Sequence, residues 1–385
     1  MNRNIILLGA VSLLTDISSE MIYPLVPLYL TAVLGASPAV LGLIEGLAES
    51  LASLLKVFSG RVADVLARRK PLAIAGYGFS AFGKLLFVLA TSWTGILWAR
   101  LADRFGKGVR TAPRDALIAE SCGPDDRGKA FGLHRAMDTA GVVIGIFLAY
   151  WLFTRYQGDY VMVFWVSLIP AILGALVLFA VYETGRKAQL PAGVRQPAMA
   201  WRSLDARLRY FIVVSFLFNL GNSSNQFLLV RAGGAGFSPA EVILLYLLMN
   251  VTYLLVSYPA GRLSDAIGRR ALLVAGYLAY GLVYMGFAVA KSPLAFIGLF
   301  AVYGLYIGAT KGVEKAFLAD VTSPALRATV FGLHATVVGV ALLPASIIAG
   351  ALWNSFGAAA PFWFGGVMGS VAAVGIWSGL RPSTR

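Results

Sequence analysis

Runs of about 20 apolar residues recur along almost the whole chain, each long enough to cross a hydrocarbon layer of roughly 30 Å as an α-helix. They fall near 5–33, 39–59, 71–90, 94–121, 129–153, 161–182, 209–231, 239–260, 271–290, 294–319, 329–353 and 359–380. Inside a bilayer the backbone must satisfy its own polar groups, which leaves helices or a closed barrel. The runs are continuous rather than alternating, and this argues against a barrel. Only 13% of the 385 residues are charged, whereas a soluble domain carries roughly 25%. The expected fold class is an all-α membrane protein with twelve transmembrane helices.

Lys and Arg set the orientation. With the N-terminus inside, the inner loops hold Arg61, Arg68, Arg69, Lys70, Arg127, Lys129, Arg262, Arg269 and Arg270. The central linker with the residues just after it adds Arg186, Lys187, Arg195, Arg202, Arg207 and Arg209. The outer loops hold little beyond Arg155, Arg231 and Lys291. Both termini are expected in the cytoplasm. The net charge of +14 follows largely from this bias, so no nucleic-acid partner is invoked. MNRNIILLG reads as the start of the first span rather than a removable signal. Cys122 is the only cysteine, so neither an intramolecular disulfide nor a cysteine metal cluster is expected.

The chain repeats itself. GRVADVLARRKPL at 60–72 returns as GRLSDAIGRRALL at 261–273, and FGLH at 131–134 returns at 331–334. The only two histidines, His134 and His334, occupy equivalent places. Two six-helix bundles are therefore expected, 1–182 and 208–385, joined by a cytoplasmic linker at 183–207. Two copies in one orientation form the parallel-repeat architecture of transporters.

The repeated motif G-x3-D-x3-R-R comprises Gly60, Asp64, Arg68 and Arg69, then Gly261, Asp265, Arg269 and Arg270. With twelve spans, these two copies make the chain resemble the Major Facilitator Superfamily over essentially its whole length, and bacterial small-molecule efflux members in particular. Ala67 departs from the glycine usual at its position, which Gly268 keeps. The resemblance implies a monomer in a bacterial or archaeal cytoplasmic (inner) membrane, with the lipid bilayer and a small-molecule solute as partners. It also implies that the motif is a latch favouring the outward-open state. In physical terms, its glycines permit close helix approach, and its aspartates can face a helix N-terminus or pair with the arginines.

ARLADRFGKGVRTAPRDALIAE, 99–120, holds eight charged residues between apolar runs. It aligns with an ordinary apolar helix in the second repeat, Gly108 with Gly308 and Glu120 with Asp320. It is therefore read as the fourth span. At 100° per residue, Arg100, Asp103, Arg104, Lys107, Arg110, Arg114 and Asp115 share an arc of about 140°. Such a face must turn toward water or counter-charge.

Counter-charges are available in Asp16 and Glu20 on the first span, Glu45 and Glu49 on the second, and Lys84 on the third. Asp103 can also neutralise either arginine beside it. The second repeat is neutral where the first is charged: Asn222 and Asn225 replace Asp16-Ile17-Ser18-Ser19-Glu20 with GNSSN, Gln226 follows, and Tyr246 and Asn250 replace Glu45 and Glu49. Buried carboxylic acids can load and release protons near neutral pH as access alternates. Asp16, Glu20, Glu45 and Glu49 are expected to couple protons, and Arg100, Arg104, Lys107, Asn222, Asn225 and Gln226 to line a solute cavity.

Arg114-Asp115 aligns with Glu314-Lys315 in reversed sign, which predicts an inner gate of Arg114–Glu314 and Asp115–Lys315. Gly132, Gly141 and Gly145 have the spacing of the family's antiporter motif, although Ile146 stands where its proline would be. His134 with Asp138 could sense pH. These features predict proton-coupled export of a small organic molecule, using the proton gradient and no cofactor. The rivals are an importer or exchanger of an anionic solute, a metal-cation transporter, and a non-transporting receptor. No nucleophile–base pair or HExxH-type metal site suggests an enzyme.

Overall fold

The computed structural model describes residues 2–66, 69–123, 126–183, 204–322 and 326–379; within these, the side chains of 61, 63–66 and 327–329 are also outside the description. The described chain is helical. The first span is α1 (Arg3–Ile22), α2 (Leu25–Leu28) and a π-helical turn (Tyr29–Val33). Then come α3 (Pro38–Leu66), α4 (Lys70–Leu89), α5 (Trp93–Glu120), α6 (Arg127–Arg155) and α7 (Tyr160–Phe179). The second repeat comprises α8 (Ala206–Gly221), α9 (Gln226–Gly234), α10 (Pro239–Ile267), α11 (Arg269–Val289), α12 (Pro293–Asp320), α13 (Arg327–Phe356) and α14 (Ala360–Gly379).

Nine spans among the described residues are long and apolar enough to cross a membrane by length and composition alone. The other three are α3, α5 and the α8–α9 pair, which carry the mid-span charges or a break in the helix. Two departures from the sequence reading stand out. Helices α3 and α10 run to Leu66 and Ile267, so Gly60, Asp64, Gly261 and Asp265 lie on helix rather than in a loop. The backbone ladder continues through these motif residues.

The seventh span, expected as one helix, is interrupted after Gly221. Asn222 leaves helical geometry (φ −93°, ψ 75°), and helix resumes at Gln226. Ser and Asn side chains compete for backbone groups; here the Ser224 hydroxyl accepts the Gln226 N–H at 3.3 Å. The first span breaks too, but later in its course, at Tyr23-Pro24, where proline supplies no N–H to the ladder.

Packing divides the chain into two compact units. Unit 1 is Met1–Ala188 with Ala232–Leu247, and unit 2 is Gln189–Arg231 with Leu248–Arg385. Inside unit 1, α1 packs on α6 and α7, and α5 packs on α3 and α4. Inside unit 2, α8 packs on α13 and α14, and α11 on α12 and α14. The repeat is visible in detail. Ser92 caps α5 through the Gly95 N–H, and Ser292 caps α12 through the Ala295 N–H, both at 3.3 Å. A Cβ on Gly108 would stand 2.9 Å from the Ala52 carbonyl oxygen, and one on Gly308 2.9 Å from that of Tyr253.

The charged α5 is held especially close. A Cβ on Gly106 would meet the Gly76 carbonyl oxygen at 2.4 Å and the Ser80 nitrogen at 2.6 Å. Gly106→Leu is therefore expected to destabilise the protein by about 1–3 kcal/mol or more, the usual range for overpacking. Gly128→Ala, with nothing within 4 Å, should leave it unchanged. Melting of the detergent-solubilised proteins, followed by size-exclusion fluorescence, checks both.

Candidate functional site

The charges of α5 meet partners on both neighbouring helices. Arg100 reaches α3 with a two-pronged contact, Nε to Glu45 Oε1 at 2.6 Å and Nη2 to Glu45 Oε2 at 2.9 Å. One turn on, Arg104 Nε lies 3.1 Å from Glu49 Oε1, and Arg100 Nη2 lies 3.8 Å from that oxygen. On the other side, Lys84 of α4 donates to Asp103 Oδ1 at 2.9 Å and to the Ser19 hydroxyl at 3.2 Å. Lys84, Arg100, Asp103 and Arg104 are at most 5% exposed, and Glu45 is fully buried.

Asp103 also reaches beyond its own helix. Its principal partner is Lys84 on the adjacent helix, and Arg104 Nε stands 4.0 Å away. Neighbouring residues on a helix point about 100° apart, so Asp103 turns toward α4 while Arg104 turns toward α3. Arg110 also faces α4, donating to the Ser80 hydroxyl with its guanidinium 4.6 Å from the Tyr77 ring centre. Arg114 pairs with Asp115 at 2.8 Å and donates to the Ser12 hydroxyl at 3.1 Å. Ser12 in turn contacts His134 Nε2 at 2.8 Å, and His134 lies 3.8 Å from Asp138.

The acidic pair on α1 is placed differently. A Cβ on Gly141 would lie 3.1 Å from Asp16 Cβ and 2.6 Å from the Leu13 carbonyl oxygen. A Cβ on Gly145 would lie 3.0 Å from Glu20 Cβ and 2.6 Å from the Ile17 carbonyl oxygen. Two members of the glycine motif thus press α6 onto the backbone of α1 where its carboxylates stand. Glu20 accepts a 2.9 Å hydrogen bond from the Tyr246 hydroxyl. Asp16 has no hydrogen bond or ion pair, and Glu20 no ion pair, within 4.0 Å among the described residues.

Tyr246 belongs to the part of α10 that packs in unit 1. It stacks on Tyr23 with ring centres 5.3 Å apart, and Arg100 lies 5.2 Å from the Tyr23 ring. Sequence reasoning marked Tyr246 only as the neutral counterpart of Glu45. Its role is partnership with a carboxylate, which an alignment of the two repeats could not reveal.

In unit 2 the interrupted seventh span gathers hydroxyls. Tyr280 donates to the Gly221 carbonyl and Tyr303 to Asn225 Oδ1, both at 2.8 Å. Asn222 is half-buried, whereas Gln226 is fully buried with both amide atoms unpartnered among the described residues. Glu314 accepts from the Tyr277 hydroxyl at 2.8 Å, and Lys315 is exposed.

At the second motif copy, Arg269 pairs with Asp265 at 2.6 Å and with Asp320 at 3.0 Å. Arg270 donates to the Trp377 carbonyl. A Cβ on Gly261 would meet open space, and one on Gly60 would lie 3.5 Å from Ala112 Cβ. In the first copy Arg69 pairs with Glu120. Glu183 accepts the backbone N–H groups of Arg69 and Lys70 at 2.5 and 3.2 Å. Arg68 and the side chain of Asp64 lie outside the described residues.

Comparison with known proteins gives a consistent picture. The family model described as Major Facilitator Superfamily matches residues 8–232 and 211–385. An uncharacterized MFS-type transporter of Methanocaldococcus jannaschii is 40% identical over 362 residues, 92% of this chain and 89% of its own. The multidrug resistance protein MdtH of Photorhabdus laumondii is 27% identical over 331 residues, 83% and 79% of the two chains. Among solved structures, the nucleoside transporter NupG superposes with a TM-score of 0.82 at 14% identity, covering 98% of each chain.

The Arg100–Glu45 contact should be the most sensitive point of the network. Removing one partner of a buried pair strands the other charge, at a cost of about 3–5 kcal/mol. Glu45→Ala is expected to lower thermal stability sharply. Glu45→Gln combined with Arg100→Gln should lower it by less than the single alanine change, in the same melting assay.

Proposed function

Because this chain belongs to the Major Facilitator Superfamily of membrane transporters, we propose that it is a proton-coupled exporter of a small organic molecule. It is a secondary transporter and not an enzyme. In our reading two six-helix bundles, 1–182 and 208–385, rock about a central cavity in a bacterial or archaeal cytoplasmic membrane. Relatives named as multidrug resistance proteins support export.

One observation carries the assignment of coupling. Glu45 and Glu49 are engaged by Arg100 and Arg104, whereas Asp16 and Glu20 stand inside the first span with no cation in ion-pair range among the described residues. A carboxylate without a fixed counter-charge is the one that can bind a proton without breaking a buried ion pair. We therefore narrow the proton-loading role to Asp16 and Glu20, with Glu45 and Glu49 holding the arginines in place. Arg114–Glu314 and Asp115–Lys315 are kept as the proposed inner gate, and the two glycine–aspartate–arginine motifs as the proposed latch.

The test is solute efflux and proton movement in proteoliposomes under an imposed pH gradient. Asp16→Asn with Glu20→Gln is expected to remain folded and to lose proton movement, leaving at most solute exchange. Full proton coupling in that double variant rejects the assignment.

A further inference from the structure

We propose that the transported solute is zwitterionic, its cationic group read by Asp16 and its acidic group by Lys107. This deepens the exporter reading and rests on it. The ground is the matching of charges in unit 1.

Along the charged face of α5, four cations have a carboxylate within reach: Lys84 with Asp103, Arg100 with Glu45, Arg104 with Glu49 and Arg114 with Asp115. Arg110 is taken by Ser80 and the Tyr77 ring. Of the remaining acids, Glu20 holds the Tyr246 hydroxyl, and Asp138 lies 3.8 Å from His134 and 3.9 Å from Arg135. Two ionisable side chains are left, Asp16 and Lys107. Neither has a hydrogen bond or an ion pair within 4.0 Å among the described residues.

They are opposite in sign and stand in each other's field, yet beyond contact distance. Asp16 is half-buried, and Lys107 is exposed near the middle of α5. An uncompensated charge at that depth has to face water. Unit 1 therefore presents one acidic and one basic side chain, Asp16 and Lys107, that have neither a hydrogen bond nor an ion pair among the described residues. Glu20 and Arg110, also without a counter-charge among the described residues, are each held by neutral partners.

A solute bearing only a cation would approach Asp16 against the repulsion of Lys107. A solute bearing only an anion would meet the reverse. A molecule with both groups is attracted at both ends, in the manner of charge-complementary interfaces. The arrangement also supplies a reason for exchange. A proton and the solute's ammonium group compete for the same Asp16 carboxylate, so loading one releases the other.

The experiment uses the full chain in proteoliposomes with matched triads: phenylalanine, phenethylamine and N-acetylphenylalanine, and the same three forms of leucine, histidine and arginine. Proton-coupled efflux is expected for at least one zwitterion. Its amine and its N-acetylated acid should be at least about tenfold weaker, each having lost a charge-assisted contact. Lys107→Met should bring zwitterion and amine to the same level, and Lys107→Arg should restore the difference.

Wild-type preference for the amines or the acids overturns the inference, as does a zwitterion preference untouched by Lys107→Met, or failure of every zwitterion to move. Proton-coupled efflux of amines alone leaves the exporter reading standing and removes only this one. Solute movement that never carries protons removes the exporter reading itself.

Discussion

Charge inside a bilayer persists only where another charge or water meets it, and most of this protein's unit 1 is arranged around that demand. Helix α5 carries eight charged residues between 99 and 120. It is stable because α3 and α4 bring carboxylates, an ammonium and a tyrosine ring to its face. The contacts are short because the helices are close: Gly76, Gly83, Gly106 and Gly108 leave no room for a Cβ. Small residues let backbones approach, and that approach sets the reach of the arginines to the acids. Packing and electrostatics are here one device.

The two repeats solve the same packing problem with different chemistry. Both keep the serine-capped fourth helix of their set, the close glycine at 108 and 308, and a break in the leading span. Unit 1 fills its interior with ion pairs. Unit 2 uses tyrosine hydroxyls on backbone and amide acceptors at its break. With Asn225 and Asn250 standing where unit 1 has Glu20 and Glu49, unit 2 is suited to shaping a solute site, while unit 1 is suited to carrying protons. That division, proposed here, rests on the α1 carboxylates being seated by glycines of α6 rather than held by cations.

Much of this was legible from residues alone. The apolar runs, the basic inner loops and the duplicated motif led to twelve spans and two repeats, because membrane solvation leaves so few alternatives. The helical period identified the charged face of 99–120 as one-sided. The break of the seventh span was missed, since GNSSN contains no proline and the bonds at its interruption, Ser224 to the Gln226 N–H and Asn225 to the Tyr303 hydroxyl, form only in the fold. Tyr246 was missed for a related reason: its hydroxyl gains a role only from the carboxylate it meets.

The sequence by itself determined that the chain is a membrane transporter of this family and which helix carries charge against the rule. Depth, period and composition are properties of a single segment and can be read from it. Only the tertiary structure decided which acid answers which base, giving Glu45 to Arg100 and Asp103 to Lys84, and leaving Asp16 and Lys107 without an ion pair among the described residues. Pairing is a matter of a few ångströms between helices far apart in sequence, set by glycine contacts and side-chain direction that no periodicity encodes.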